Sequence, residues 1–289
     1  MKGIDHLVFA GPDLDAMRAA WSALGFTLTP PARHPFGTGN SLVQLESCFL
    51  ELLTVVDPDR IPEHAPSDGF SFGAFNRDFL ARAPSGFSML VLDSSDARAD
   101  VERYRAAGLK TYAPFDFSRL AKLPDGTEVT VGFSLAFVSH PDMPMAGFFA
   151  CQQHAPQYFW KPEYQRHPNR ALTVLEVALV AQEPDKYADF LSAFAQHAFE
   201  RDLYGNVTIR TIRGNICCIS PSKFSEEYQC DAPNLSRGPR LAGATIGVRD
   251  LKAIPAKLKS VNEHKALLPE PLFGTAIAFY ALNRQEEKS

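Results

Sequence analysis

Gly3-Ile4-Asp5-His6-Leu7-Val8-Phe9 and, eighty-three positions later, Gly86-Phe87-Ser88-Met89-Leu90-Val91-Leu92 decide how this chain folds. The same offset carries Asp13 onto Asp96, Ala16 onto Ala99, Ala23 onto Ala106 and Gly25 onto Gly108. Each copy reads as a short apolar strand, an acidic helix start, about three helical turns and a glycine stop. A repeat of this kind means paired supersecondary units that bury their cores together. The copies differ at one chemically telling position, where His6 is matched by Met89.

Working outward, Phe26 to Thr29 is strand-like, Pro30-Pro31 stops it, and residues 33–40 form a polar loop. Strands at 41–45 and 48–55 complete a βαβββ unit, and residues 58–85 read as a Pro-, Gly- and aromatic-rich connector. The second unit has a helix over 96–107 and strands around 109–116, 129–138 and 146–153, with Pro124-Asp125-Gly126 as a turn. A third unit starts at Leu172, with a helix opening at Pro184-Asp185 and strands near 206–212 and 215–220. A fourth starts at Ala244, with a helix from Arg249 to about Val261, interrupted by Pro255, and strands near 265–268 and 274–282. The expected fold class is α+β, with four βαβββ modules in two halves. Residues 1–155 would hold the first pair and the site, 156–170 a connector in which His167-Pro168-Asn169 fixes the join, and 171–285 a structural or dimerising second pair. Each pair would curl around a shared cleft, because a single module leaves a sheet edge and one face uncovered.

Charge is nearly balanced, 29 basic against 33 acidic residues in 289, so neither nucleic acid nor an anionic membrane surface is expected as a partner. No apolar stretch approaches the roughly 20 residues that span a bilayer. The first strand begins at the N-terminus without a leader pattern, and a cytoplasmic protein is expected. Five cysteines lack paired CxxC spacing, which favours reduced thiols over a disulfide framework or zinc ribbon. Cys217 and Cys218 are strand neighbours that should point to opposite faces. No Walker loop, dinucleotide fingerprint, nucleophile elbow or HExxH sequence is present.

Glu51 interrupts the apolar run Phe49-Leu50-Glu51-Leu52-Leu53, and a buried carboxylate needs a metal, a cationic partner or water. Strand alternation groups Ile4, His6 and Val8 on one face and gives His6 no obvious local partner. Arg33, His34 and Asn40 lie in a loop that could cover a cleft or simply be solvated. Arg119 could clamp a substrate anion bidentately or pair with an acid such as Asp116. Gln152 and His154 could supply polar contacts at a cleft mouth, and Phe133 could line it or pack core.

Gly3-Ile4-Asp5-His6-Leu7-Val8, Leu24-Gly25-Phe26, Arg33-His34-Pro35, Phe49-Leu50-Glu51-Leu52-Leu53, Phe148-Phe149 and His167-Pro168-Asn169 together resemble the glyoxalase-like domain family. That family belongs to the vicinal oxygen chelate superfamily, with glyoxalase I, extradiol dioxygenases and fosfomycin-resistance proteins. The resemblance implies paired half-barrels around a cleft in which first- and fourth-strand side chains hold a divalent ion. Carried over, His6 and Glu51 are the metal ligands of the first module, with His34 or His154 as a conceivable third from a loop, while the second module offers Met89 and Cys151, or the latter's neighbours Gln152 and Gln153. Zn, Ni, Mn or Fe would then chelate a small oxygenated substrate, with His6 and Glu51 as catalytic groups. The expected function is metal-dependent lyase, isomerase or dioxygenase chemistry, with or without glutathione, and a homodimer is the candidate assembly. The alternative is a metal-free binding or resistance protein using the same cleft.

Overall fold

The repeat at residues 3 and 86 is realised as two modules with matching ends. Asp13 and Asp96 each accept the backbone N–H three residues on, from Ala16 and Ala99, both at 3.0 Å. Gly25 and Gly108 close the two helices at φ +82° and +79°, a left-handed conformation that glycine adopts without strain. The structure is a computed structural model that describes residues 2–64, 69–122 and 127–282, without the side chains of residues 119, 121 and 122. The expected turn at Pro124-Asp125-Gly126 and the polar tail after 282 lie outside the described residues.

The first module runs β1 (Ile4–Ala10), α1 (Leu14–Ala23), β2 (Ala32–Arg33), β3 (Thr38–Gln44) and β4 (Phe49–Val55). The connector that follows carries a helix the sequence reading did not anticipate, α2 (Phe72–Leu80), capped by the Ser71 hydroxyl. The second module comprises β5 (Gly86–Asp93), α3 (Ala97–Ala106), β6 (Lys110–Thr111), β7 (Phe115–Lys122), β8 (Glu128–Ser139) and β9 (Gly147–Gln153). A one-turn α4 (Pro156–Phe159) leads out of it. The third is built from β10 (Ala171–Val180), α5 (Ala188–Ala195), β11 (Phe199–Arg201), β12 (Val207–Arg210) and β13 (Asn215–Ile219), followed by α6 (Pro221–Tyr228). The fourth contains β14 (Arg240–Val248), β15 (Lys259–Ser260), β16 (Lys265–Leu267) and β17 (Ala276–Ala281). Its expected long helix is a single 3₁₀ turn, Leu251–Ala253, because Pro255 forces Ile254 into an extended conformation (φ −82°, ψ 119°).

The first two modules form one sheet, ordered β2-β3-β4-β1-β5-β9-β8-β6 with β7 added on β8; the last two form another, β11-β12-β13-β10-β14-β17-β16-β15. At the centre of each sheet, the opening strands of its two modules run antiparallel, β1 with β5 and β10 with β14. Each opening strand is flanked on its other side by the closing strand of its own module in parallel. These strands are buried on both faces. The largest core lies between the two halves and includes Leu7, Phe9, Trp21, Phe148, Val177, Phe194 and Phe279. The opposite face of the first sheet packs a separate aromatic cluster.

The join expected at His167-Pro168-Asn169 is a set of hydrogen bonds. Asn169 Nδ2 donates to the Leu24 carbonyl at 2.8 Å, and His167 accepts from Thr27 N at 3.0 Å while bonding the Gln44 carbonyl at 2.8 Å. Cys217 and Cys218 face different clusters, and all five cysteines are free thiols.

Phe148 is the bolt between halves, fully buried and set edge-on against Phe190 and Phe194 at 5.2 and 5.5 Å. Phe148→Ala is expected to cost about 3–5 kcal/mol of unfolding free energy, read as a lowered midpoint in urea. A loss below about 1 kcal/mol would mean that the inter-half core is not what holds the molecule together.

Candidate functional site

The pocket lies on the face of the first sheet that points away from the second half. β1 and β4 run parallel with His6 opposite Phe49 and Val8 opposite Glu51. Side-chain alternation sends Leu50 and Leu52 into the inter-half core and Phe49 and Leu53 to the pocket face, with Glu51 between them. The register of β1 against β5 slips between Ile4 and His6. An extra residue in one strand reverses the alternation locally, so Ile4 joins Leu7 and Phe9 in the core while His6 and Val8 face the pocket. Ile4 therefore does not share the His6 face. His6 also has the partner that alternation denied it: its Nδ1 lies 2.6 Å from Asp5 Oδ2.

A carboxylate only accepts, so Nδ1 carries the proton in that bond and Nε2 is the nitrogen turned to the pocket. It stands 3.8 Å from Glu51 Oε2. His34 Nε2 approaches the other oxygen at 3.7 Å. Asn40 lies between, donating to Glu51 Oε1 at 2.6 Å and meeting His34 Nε2 at 3.3 Å. Behind the imidazole, Asp5 Oδ1 accepts from Gln153 Nε2 at 3.1 Å. Asp5, His6 and Glu51 are each about 95% buried, at 4–5% exposure.

Aromatic rings make the walls. His6 stacks on Phe49 at 4.2 Å, and His34 stacks on Phe36 at 4.9 Å. Phe72 comes from α2, Phe117 from β7, Phe133 from β8, Phe149 from β9 and Phe159 from α4. The space they surround, counted out to its open mouth, is about 510 Å³.

Of the residues singled out in the sequence, His6, His34, Asn40, Glu51, Phe133 and Cys151 all line this pocket. Arg33 is exposed on β2 and does not line it. Gln152 points the other way along β9, accepting from Ala97 N and donating to the Ser95 carbonyl, where it steadies the start of α3. His154 is exposed and hydrogen-bonds Ser134. The Arg119 side chain lies outside the described residues. Sequence reasoning missed Phe36 and Phe72, and also Asp5, which holds His6 from behind without lining the pocket.

The metal expectation meets a register fact. Two residues beyond His6, Val8 pairs with Glu51; two residues beyond Met89, Val91 pairs with Phe149. The counterpart of Glu51 in the second module is therefore Phe149, and Cys151 sits one ladder step further on. Both positions through which a paired module would complete a metal shell are apolar. Burial, reinforced by the charges of Asp5 and Glu51, pushes the Cys151 thiol well above its ordinary value, which disfavours the thiolate a metal needs. Among the described residues no three His, Cys, Asp or Glu side chains converge to hold a metal ion. The residues present do not fit a multi-ligand metal centre.

A family model for a glyoxalase-like domain matches residues 4–194. No curated protein gives a significant match. Among solved structures, a hypothetical protein from Staphylococcus aureus superposes with a TM-score of 0.68 at 12% identity, over 98% of this chain and 100% of that one. A mutant 4-hydroxymandelate synthase from Streptomyces coelicolor gives 0.56 at 12% identity, over 98% of this chain and 94% of its own. A fusion of a xylose isomerase-like TIM barrel with 4-hydroxyphenylpyruvate dioxygenase gives 0.58 at 12% identity, over 98% and 49%. At such identities these likenesses speak for fold.

The second sheet repeats the geometry with different chemistry. Glu176 pairs with Asn215 and Ala178 with Cys217, so Glu176 and Cys217 hold the places of His6 and Glu51. Here α6 closes the cleft: Phe224 and Tyr228 stack at 4.9 Å, and the Tyr228 ring lies where a side chain at Gly243 would be. Burial and then Glu227 raise the Glu176 carboxyl, a cost paid only by its ionised form. Its folded value lies above its unfolded one, so this group's contribution to stability is fully present below the unfolded value and is lost as pH rises through the folded one. Glu176→Gln should match the wild type in thermal midpoint near pH 4 and exceed it progressively towards pH 8, as followed by melting across pH.

Proposed function

Because this chain belongs to the glyoxalase-like domain family of the vicinal oxygen chelate superfamily, we propose that the aromatic pocket of its first sheet is a small-molecule site. In this reading the protein acts on a small oxygenated molecule with an apolar or aromatic body. One observation carries it: Glu51 and the Asp5-held His6 face each other at 3.8 Å in a pocket otherwise walled mainly by phenyl rings.

The chain's own groups account for proton-transfer chemistry next to a carbonyl, the lyase or isomerase class. Glu51 Oε2 is the base that takes a proton from the carbon beside the carbonyl. His6 Nε2, left as the acceptor because Asp5 holds the proton on Nδ1, stands where it can accept a hydrogen bond from the substrate's hydroxyl. Asn40 fixes the carboxylate from its other side. The phenyl walls exclude water, which strengthens each of these interactions. No step is assigned to a metal, since the second module offers Met89 and Phe149 where donors would be needed.

A second reading keeps a divalent ion between His6 and Glu51, with oxygen-dependent cleavage as its chemistry. The Asp5–His6 bond favours it, because metal-bound histidines commonly donate their other ring nitrogen to a carboxylate. A homodimer is compatible with either reading.

Two measurements decide. In D₂O, wild-type protein should wash deuterium into the carbon beside the carbonyl of an aryl α-hydroxyketone, followed by NMR, and Glu51→Gln should slow this by about 10²–10⁴-fold. Elemental analysis of protein purified without chelator should find substoichiometric metal that His6→Ala leaves unchanged. Near-stoichiometric transition metal lost in His6→Ala would instead establish the second reading, and exchange unaffected by Glu51→Gln would remove Glu51 as the base.

A further inference from the structure

Resting on the reading of the pocket as a small-molecule site, we infer that its ligand carries an ammonium group, primary or methylated, on an aromatic or apolar body. The first ground is the choice of side chains. Glu51 is buried in the pocket wall with Asp5 buried behind His6, and the described residues that line the pocket include no lysine or arginine. Arg213, in the groove on the far side of Asp5, is bonded to Asp93 at 3.0 Å and to the Ile4 carbonyl at 2.9 Å.

The second ground is an open acceptor. Asn40 satisfies Glu51 Oε1 at 2.6 Å. Oε2 receives no hydrogen bond among the described residues, and the 3.8 Å to His6 Nε2 is too long to be one. A buried carboxylate oxygen in an apolar wall is costly until a donor reaches it, and a charged N–H donor gains the most there. The third ground is the wall itself. Phenyl faces present the negative lobe of their quadrupole, and a cation among several such faces is attracted by each. Phe49, Phe117, Phe133 and Phe149 supply those rings around Glu51. A ligand carboxylate would meet the acids and the ring faces with the wrong sign.

The test is a near-isosteric series titrated calorimetrically at pH 7 into the whole protein: 2-phenylethylamine, 2-phenylethanol and phenylacetate. The amine should bind at least tenfold tighter than the alcohol and phenylacetate weakest, and Glu51→Gln should bring the amine to within about twofold of the alcohol. Equal binding of amine and alcohol would overturn the ammonium inference and leave the small-molecule pocket standing. Phenylacetate binding as tightly as the amine would overturn it too. Failure of all three to bind at millimolar concentration would remove both the inference and the pocket reading. If Glu51→Gln does not fold, judged by its melting curve, the order of the three affinities in the wild type decides alone.

Discussion

A strand buried on both faces has no idle positions. All seven residues of β1 are buried, Ile4, Leu7 and Phe9 in the core between the halves and His6 and Val8 on the pocket face. The antiparallel pairing of β1 with β5, at the centre of the first sheet, fixes that division for both modules at once. Parallel attachment of β4 and β9 then fixes what stands beside them: Glu51 near His6 on one side, Phe149 near Met89 on the other. A slip of one residue in any of these ladders would exchange pocket and core side chains wholesale. Of the two slips between β1 and β5, the one at Asp5 is what allows two consecutive polar residues to meet each other in a buried strand.

Local signals in the chain were legible because they are physically local. The aspartate caps and glycine stops of α1 and α3 depend on residues within one turn, and they recur at constant spacing. The first two modules followed from that repeat, and the third and fourth from their own strand, proline and glycine signals. The gathering of His6, Asn40 and Glu51 depended on the family resemblance together with the interruption of an apolar run by Glu51. What escaped is set at long range. Whether Cys151 or Phe149 matches Glu51 is a matter of ladder register, which periodicity does not encode. Gln152 and Arg33 look like binding residues in sequence, yet one caps a helix and the other faces solvent. α2 was hidden because its Phe72 and Phe79 sit in a stretch whose Pro and Gly content reads as loop.

The two sheets show how little the topology itself dictates chemistry. Register equivalence puts Glu176 and Cys217 where the first sheet has His6 and Glu51. The second concave face then buries its apolar residues under α6, with alanines at 242, 276 and 278 making room for Phe224 and Tyr228. The first face has bulky phenylalanines on its strands and only α2 and α4 at its margins, so its rings enclose space rather than a helix. Small strand residues admit an internal helix; large ones, splayed around a polar group, leave a cavity.

That contrast bears on why Glu51 persists in a wall of phenyl rings. In the second half the half-buried Glu176 has Lys265 and Lys223 opposing its charge, although burial and Glu227 outweigh them. In the first half Asn40 answers one oxygen of Glu51, and the imidazoles stop at 3.7 and 3.8 Å, beyond hydrogen-bond reach. Closing those gaps would need only small movements of His6 and His34, but both rings are held by stacking on Phe49 and Phe36, and His6 also by Asp5. The scaffold thus holds the carboxylate and the imidazoles apart instead of letting them neutralise one another. On the proposed reading, a ligand entering the gap would relieve that electrostatic cost, and the gap's location between acid and imidazole would make the ligand's polar end, rather than its apolar body, the part the protein discriminates.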